Sequence, residues 1–234
     1  MCLMIRYKEN QCELYKAVDC LNFTPTLGKI LFKRKHLNKI DVNEGSVNHW
    51  SFSNNGIDSV GTSHLYNGVG VSFTIDRYCR PSSALSLSNG YYQAPAGVYF
   101  DGGPFSVTAW IKMRTVTDSA RLIDFGSGAF GSNNIVFCVF LGILKTPTLN
   151  AYKNSLNNPF LISSLNITLN EWYHLAATFD GNLGYVYIDG ELAASGPLIS
   201  PANINRDLNF IGKSNYNGDG NADGIFDEIQ IYSR

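Results

Sequence analysis

Two Asp-Gly dipeptides constrain the fold of this chain more than any other feature. Asp180-Gly181 and Asp189-Gly190 separate three short segments in which apolar and polar residues alternate. Alternation with a period of two is typical of a half-buried strand, and Asp-Gly favours a type I′ turn because both central residues must adopt positive φ. We therefore predict a meander of consecutive antiparallel strands over residues 171–194.

The rest of the chain shows the same strand-like pattern. Residues 105–111 alternate apolar with small or polar side chains, residues 135–142 are apolar without a break, and a last strand is predicted at residues 225–232. The unbroken segment predicts a strand covered on both faces, in which Cys138 is a core residue and not a reactive thiol. No convincing helical periodicity occurs. We predict an all-β fold, a two-sheet antiparallel sandwich with under about a tenth helix.

Composition is that of a folded protein and narrows the range of partners. The chain has 14 Phe, 13 Tyr and 3 Trp, while only 16% of its residues are charged, which is the opposite of the balance in disordered chains. A net charge of −1 gives no general field that attracts nucleic acid. No apolar run approaches the roughly 20 residues of a membrane span. We expect no nucleic-acid partner and no membrane span in this chain.

A domain boundary is predicted near residue 45, where the charge balance changes. Residues 1–45 carry 8 Lys or Arg against 5 Asp or Glu, whereas residues 46–234 carry 10 against 14. The first segment also contains Cys2, Cys12 and Cys20, a density that predicts at least one disulfide among them. We interpret residues 1–45 as a basic segment or linker, or the remnant of another module, and residues 46–234 as one domain.

The cellular context is predicted from two N-glycosylation sequons, at Asn22 and Asn166. Together with the N-terminal cysteines they favour an extracellular or cell-surface location. Residues 1–6 are too short and too soon charged to form the apolar core of a signal peptide. We therefore expect the chain to be a fragment of a longer protein.

Several motifs, in order along the chain, carry a resemblance to a known family. They are FSVTAWIK at 105–112, EWYHLAATFDG at 171–181, YIDG at 187–190, LNFIG at 208–212 and GIFDEIQIYSR at 224–234. From about residue 47 onward the chain resembles the laminin-G-like jelly rolls of the concanavalin A-like lectin/glucanase superfamily, which are similar to pentraxins. The resemblance implies two facing antiparallel sheets and a role in adhesion or glycan binding. Residues 1–20 faintly resemble the tail of an apple-type (PAN) module.

The chain departs from the family pattern at two positions. Cys79 stands where relatives generally have a small residue such as Gly, and Ala222 stands where Phe or Tyr is frequent. The resemblance therefore leaves the packing of these two loops open.

No catalytic pattern accompanies the resemblance. Glycosidases of this superfamily carry clustered acids on one strand, whereas here Asp227 and Glu228 are adjacent and are predicted to point to opposite faces. Carboxylates so arranged do not flank one glycosidic bond at the separation of about 5–9.5 Å that hydrolysis needs. His174 is predicted to be a structural histidine of its strand. We predict that the protein is not an enzyme.

A calcium site is predicted at the loop before the last strand. Asp219, Asn221 and Asp223 occupy alternate positions of a tight turn, as oxygen ligands do in calcium loops. The resemblance implies that the first and last strands are antiparallel neighbours, which places Asp58 and Asp227 on the same rim. No Lys or Arg lies between residues 216 and 230 to offset these carboxylates. Ca²⁺ is the expected cofactor, and a turn held by side-chain hydrogen bonds is the alternative.

These observations predict an extracellular binding or adhesion module that recognises glycan or protein through a loop rim. They assign no ligand-binding residues, because loop side chains set specificity on this scaffold. Two alternatives remain open: an architectural spacer without a ligand of its own, and a lectin-fold glycoside hydrolase.

Overall fold

The computed structural model describes residues 45–128, 132–154 and 160–233, and the backbone of three further strands at residues 5–8, 11–14 and 156–157. The predictions for Cys2, Cys12, Cys20, Asn22 and the basic segment concern side chains outside the described residues. The first two strands, β1 (Ile5–Lys8) and β2 (Gln11–Leu14), form an antiparallel hairpin.

All regular secondary structure in the described residues is β-strand, which agrees with the absence of helical periodicity. The remaining strands are β3 (Ser46–Trp50), β4 (Tyr66–Thr74), β5 (Ala84–Ala94), β6 (Phe105–Met113), β7 (Arg121–Gly126), β8 (Ile135–Cys138), β9 (Thr148–Lys153), β10 (Leu156–Asn157), β11 (Leu161–Ile162), β12 (Tyr173–Phe179), β13 (Leu183–Ile188), β14 (Glu191–Pro197), β15 (Leu208–Ile211) and β16 (Ala222–Tyr232).

Two antiparallel sheets face each other across one apolar core. The first sheet has the order β16-β6-β12-β13-β14, and the second the order β15-β7-β8-β9. Strand β5 joins them, since its residues 85–90 pair with β16 and its residues 92–94 pair with β15. The predicted adjacency of the first and last strands of the domain is confirmed, because β3 pairs antiparallel with β16. The fold is thus the predicted two-sheet sandwich.

The core follows from the alternation in the strands. In β6, Phe105, Val107, Ala109, Ile111 and Met113 all face the core, and the intervening side chains face away from it. Each large side chain so buried contributes about 1.5–3 kcal/mol relative to an exposed position. The second sheet supplies its own aromatic and aliphatic core residues, which are Leu122, Ile123, Phe125, Ile135, Phe137, Leu149, Ala151 and Ile211.

The two Asp-Gly turns have different conformations. Asp189 and Gly190 have φ of 51° and 82°, as a type I′ turn requires, and the prediction there is confirmed. At the first turn only Gly181 has positive φ, so the type I′ prediction is wrong. The Asp180 carboxylate instead accepts hydrogen bonds from the backbone of Asn182 and Leu183, which closes a longer loop.

A β-bulge in β16 overturns the predicted orientation of its two acids. Phe226 and Ile229 both face the core, and two residues separate them instead of one. Glu228 has a φ of 50°, and the register with β6 shifts at this point. Asp227 and Glu228 therefore both point away from the core, on the same face of the sheet.

The two tryptophans near the centre of the first sheet depart from the pattern in which inward-facing side chains are buried and outward-facing ones are exposed. Trp110 is 8% exposed, but it lies on the outer face of β6, and Trp172 precedes β12 and is only partly buried.

Cys138 is buried and free, as predicted. Cys79 is disulfide-bonded and has a φ of 63°, a left-handed value that glycine adopts without strain. Ala222 is fully buried opposite Gly90.

The part of the chain that the structure describes contains no helix of the length and apolar character that a membrane span requires.

Candidate functional site

The five predicted calcium ligands lie in separate environments, and the first of them, Asp58, organises a loop. Its carboxylate, only 3% exposed, accepts a hydrogen bond from the Asn48 amide and four from backbone N–H groups. Burial alone would raise the pKa of Asp58, but these hydrogen bonds outweigh it and the pKa lies below its usual value. The lone pairs of Asp58 are thus engaged by protein donors.

The acids of the predicted calcium loop are paired with arginines from other strands. Asp219 accepts hydrogen bonds from Arg121 at 2.6 Å and from Ser214 at 2.7 Å. Asp223 accepts one from Arg114 at 2.9 Å. The exposed amide of Asn221 donates to the backbone of Asn89. The premise that no basic residue offsets these carboxylates fails because the arginines are distant in sequence.

Asp227 lies on the outer face of the first sheet and contacts Arg77, whose guanidinium group packs 4.8 Å from the ring centre of Trp110. Burial raises the pKa of Asp227 to about 8, although Arg77 opposes the change. On the same face the ring of His174 lies against Trp110, and burial lowers the pKa of His174 to about 4.

No group of three or more His, Cys, Asp or Glu residues in the described parts of the chain could hold a metal ion. The structure brings Asp58, Asp219, Asp223 and Asp227 into four different sets of contacts, not into one rim.

A half-open pocket of about 380 Å³, called the end pocket below, lies beside the start of β3. Its size is in the range of small-ligand sites, which are commonly 300–1,000 Å³. Two loop segments, 61–63 and 97–104, form most of its wall, with the start of β3 and the C-terminal end of the domain closing it. Its lining residues are Val47, Asn48, Gly61, Thr62, Ser63, Gly97, Val98, Tyr99, Phe100, Asp101, Pro104, Phe105 and Ser233.

Asp58 builds the first wall of this end pocket. Its carboxylate binds the backbone N–H groups of Gly61 and Ser63, both of which line the pocket, and the side chain of Asn48. The Trp50 indole N–H donates to the carbonyl oxygen of Ser63 at 2.8 Å. The loop is therefore anchored at several backbone groups, although it has no regular secondary structure.

Arg206 holds the second wall. It is fully buried, and its guanidinium group donates to the carbonyl oxygens of Asn133, Phe100 and Ala202. Its backbone also pairs with Gly97. Burial lowers the pKa of Arg206 to about 10, so the group stays charged at neutral pH. Segment 97–101 is thus fixed by a charge-assisted set of hydrogen bonds.

The chemistry of the end pocket is mixed. Thr62 and Asp101 present an exposed hydroxyl and an exposed carboxylate, and Val98 is 54% exposed beside them. Tyr99 donates its hydroxyl to the carbonyl oxygen of Pro95, and burial raises its pKa to about 12, so it is a neutral wall residue. Hydrogen-bonding groups next to apolar surface suit a ligand that has both hydroxyl and C–H faces.

The pocket was not predicted from the sequence, although a signal exists. Residues 97–104 (GVYFDGGP) combine three Gly, a Pro and an Asp with two aromatic residues, a composition typical of a loop that carries binding groups. The role of Arg206 has no such signal, because its acceptors come from three separate segments.

One known protein family matches the sequence of this chain. A model of laminin-G-like domains, described as the concanavalin A-like lectin/glucanases superfamily, matches residues 86–234, more than half of the chain. The chain belongs to the concanavalin A-like lectin/glucanase superfamily. The end pocket takes its walls partly from the matched region and partly from the segment before it. A search of curated proteins found no match.

Three solved structures have a fold similar to that of this chain. Domain 4 of AbnA, an extracellular GH43 arabinanase from Geobacillus stearothermophilus solved in complex with arabinotriose, has 21% identity and a TM-score of 0.64, over 80% of this chain and 92% of that one. The binding domain of Paraclostridial Mosquitocidal Protein 1 has 16% identity and a TM-score of 0.60, over 82% and 49%.

A third similar structure is the Trypanosoma rangeli sialidase, with 16% identity, a TM-score of 0.59 and coverage of 82% and 31%. This chain therefore spans about half or less of the length of the second and third structures. At these identities the likeness shows a shared fold.

Proposed function

We propose that this protein is a non-catalytic extracellular module that binds a glycan in the end pocket. The observation that carries the proposal is the pocket itself, whose two loop walls are fixed by Asp58 and Arg206 before any ligand arrives. Such preorganisation reduces the ordering cost of binding. Its mixture of hydroxyl, carboxylate and apolar groups suits a sugar ring. The arabinotriose complex of AbnA domain 4 supports a carbohydrate ligand for this fold.

The arrangement of the acids supports a non-catalytic role. Asp227 and Glu228 share a face of the sheet, but Asp227 is fully buried against Arg77 and Glu228 is paired with His49 at 2.5 Å. A glycosidase needs an acid and a base that reach the substrate, and these two are engaged within the protein. The third similar structure is a sialidase of which this chain covers 31%, so the likeness carries no argument for the same activity here.

Glycosylation is part of the same proposal. Asn166 is exposed and lies in the loop after β11, with Thr168 of its sequon also exposed. Secretion from eukaryotic cells is expected to yield a protein whose mass falls on treatment with an N-glycosidase, and Asn166→Gln is expected to reduce that change.

A glycan array followed by calorimetry with the best ligand tests the function. The wild type is expected to bind, and Asp101→Ala to weaken binding about 10–100-fold, since a hydrogen bond to a charged group is worth about 1.5–3 kcal/mol. Asp118→Ala is the matched control, because Asp118 is an equally exposed aspartate that does not line the pocket.

Two outcomes contradict the proposal in different ways. Absence of binding to any glycan favours the alternative of an architectural spacer. Binding that is unchanged in Asp101→Ala and in Thr62→Tyr, which fills the pocket mouth, moves the site to another part of the surface.

A further inference from the structure

The loop between β4 and β5, residues 75–83, lies over the outer face of the first sheet and is called the Cys79 loop below. Its Arg77 contacts Asp227 of β16 and packs 4.8 Å from the ring centre of Trp110 in β6. All three side chains of this contact are buried, although they lie on the face that points away from the core. The Cys79 loop is therefore a fixed part of the outer surface of the sheet.

The tip of the Cys79 loop is a tight turn built on the carboxylate of Asp76. This carboxylate accepts hydrogen bonds from the backbone N–H groups of Tyr78 and Arg80, at 2.8 Å in both cases, and one from the Arg80 side chain. Asp76 is buried, whereas Cys79 is exposed at the tip. The turn thus holds Cys79 at the surface of the domain in a defined backbone conformation.

The disulfide of Cys79 joins this loop to a segment that precedes the domain. The chain has five cysteines, of which Cys138 is free and Cys79 is disulfide-bonded. Within one chain the partner of Cys79 is therefore one of the three cysteines of the first twenty residues, which are Cys2, Cys12 and Cys20.

The chain is long enough for each of these three bonds. The first strand of the domain begins at Ser46, which pairs with Tyr232. Tyr232 lies in the same strand as Asp227, the contact of the Cys79 loop, and is roughly 17 Å from it at about 3.3 Å per residue. Residues 21–44 can extend over at most about 80 Å. Reach therefore does not select the cysteine.

The register of the β1–β2 hairpin does select one. Ile5 pairs with Leu14 and Tyr7 with Cys12, so these four positions share one face of the hairpin. The positions of the opposite face are all polar, and they are Arg6, Lys8, Gln11 and Glu13. The hairpin is therefore amphipathic, and Cys12 belongs to its apolar face.

An amphipathic hairpin requires a surface to cover its apolar face, because a two-stranded hairpin alone is at best marginally stable in water. The Cys79 loop offers such a surface next to the disulfide. Ile75 and Tyr78 are 46% and 38% exposed, and Tyr78 directly precedes Cys79. A covalent link raises the effective concentration of the hairpin at this place, so that a small apolar contact is enough to hold it there.

We propose that Cys12 is bonded to Cys79 and that the apolar face of the β1–β2 hairpin packs on the Cys79 loop. The hairpin is then a covalently attached part of the domain and not a linker. Cys2 and Cys20, which lie outside the two strands, remain available for the disulfide predicted within the N-terminal segment. The Cys79 loop contributes none of the described residues that line the end pocket, so this inference is independent of the proposed function.

Peptide mapping of the unreduced full chain, produced in an oxidising compartment, tests the bond. Trypsin separates the three N-terminal cysteines onto peptides 1–6, 9–16 and 17–29. It leaves Cys79 on peptide 78–112, because an arginine followed by proline resists cleavage. We expect peptide 9–16 to be linked to peptide 78–112. A Cys79 that is alkylated without reduction, or that is linked to another peptide or to a second copy of the chain, overturns the assignment.

Hydrogen exchange of the full chain tests the packing. Cys79→Gly removes the bond without straining the backbone, because glycine tolerates the φ of 63°. We expect amide protection over residues 5–14 to fall at least about tenfold in this variant, while β6 keeps its protection. Ser82→Gly is the matched control, since Ser82 is exposed in the same loop with a φ of 52° and its replacement leaves the bond intact.

The variants separate the bond from the loop. Unchanged protection of residues 5–14 in Cys79→Gly means that the hairpin is stable without the loop, and it overturns the packing. An equal loss in Ser82→Gly means that the loop conformation and not the bond is responsible, which also overturns the proposal. Ile75→Ser keeps the bond and removes apolar surface, so it should lower the protection partly; no change contradicts the packing on this loop. If Cys79→Gly does not fold, Cys12→Ser provides the same comparison.

Discussion

Four arginines, Arg77, Arg114, Arg121 and Arg206, hold distant parts of this sandwich together. The first three contact carboxylates, and Arg206 binds three carbonyl oxygens. The planar guanidinium group suits such contacts because its donors are fixed in direction. Removing one partner of a buried pair leaves the other charge without compensation, which costs more than the pair contributes. At the residue scale, charge is thus a determinant of local loop geometry.

Asp58 provides the first test at this scale. Replacement by Ala leaves the Asn48 amide and four backbone donors without their acceptor, and we expect a loss of about 3 kcal/mol in the free energy of unfolding. Urea denaturation measures this loss. Asp58→Asn, which keeps one oxygen acceptor, should lose less. A loss below about 0.5 kcal/mol, the range of ordinary surface substitutions, would contradict the assigned role.

His174 gives stability a specific pH dependence. Burial, with Arg77 nearby, lowers its pKa from 6.5 to about 4 in the folded state. The folded protein then binds fewer protons than the unfolded chain, so this contribution is complete above pH 6.5 and is lost as the pH falls toward about 4. His174→Phe keeps a ring against Trp110 and does not titrate. We expect the wild-type minus variant difference in unfolding free energy to decrease from pH 7 to pH 4; a constant difference rejects the assignment.

At the scale of elements, two glycines with positive φ differ in what a side chain would meet. At one of them a Cβ atom would cause backbone strain alone, and at the other it would also collide with a neighbouring strand. Gly190 has a φ of 82° in the β13–β14 turn, and a Cβ atom there would meet nothing within 4 Å. Gly70 has a φ of 61° in β4, and a Cβ atom there would collide with the carbonyl oxygen of Ser88 in β5. The second contact is between two backbones that are hydrogen-bonded in one sheet, so neither can move away.

We therefore expect Gly190→Ala to lower the free energy of unfolding by about 1 kcal/mol. Gly70→Ala should lower it by about 3 kcal/mol or more, because strain and collision add. Equilibrium denaturation of both variants measures the difference. Equal losses would mean that β4 and β5 are not as close as described.

The strands could be predicted because their signals are local. Alternation in β6, the unbroken apolar run of β8 and the Asp189-Gly190 turn depend on neighbouring residues only. The bulge at Glu228 could not be predicted in the same way. A non-glycine residue with a φ of 50° persists there because the flanking Phe226 and Ile229 are both held in the core. Tertiary packing determines that geometry, so the acids of β16 were assigned to the wrong faces.

At the scale of the whole molecule, the sites depend on contacts between distant segments. The end pocket joins residues 47–48, 61–63, 97–101, 104–105 and 233. The sequence places the correct loops at the edges of the sandwich, but it does not show which arginine meets which carboxylate. Arg77 and Asp227 are 150 positions apart. Such pairing follows from strand order and is visible only in the folded chain.

The same pairing bears on calcium binding, which the sequence predicts at the loop before the last strand. A cation at the proposed loop must displace Arg121 from Asp219 and Arg114 from Asp223, and each guanidinium group would then lose a carboxylate partner. A ligand that binds only the folded state raises its stability by about 2.7 kcal/mol at a hundredfold excess over Kd, which is a shift of several degrees in a protein of this size. Because the carboxylates are already neutralised, we expect thermal melts with millimolar calcium and with chelator to coincide. Melts that differ by several degrees, with Asp223→Ala removing the difference, would show instead that the arginines give way to the metal.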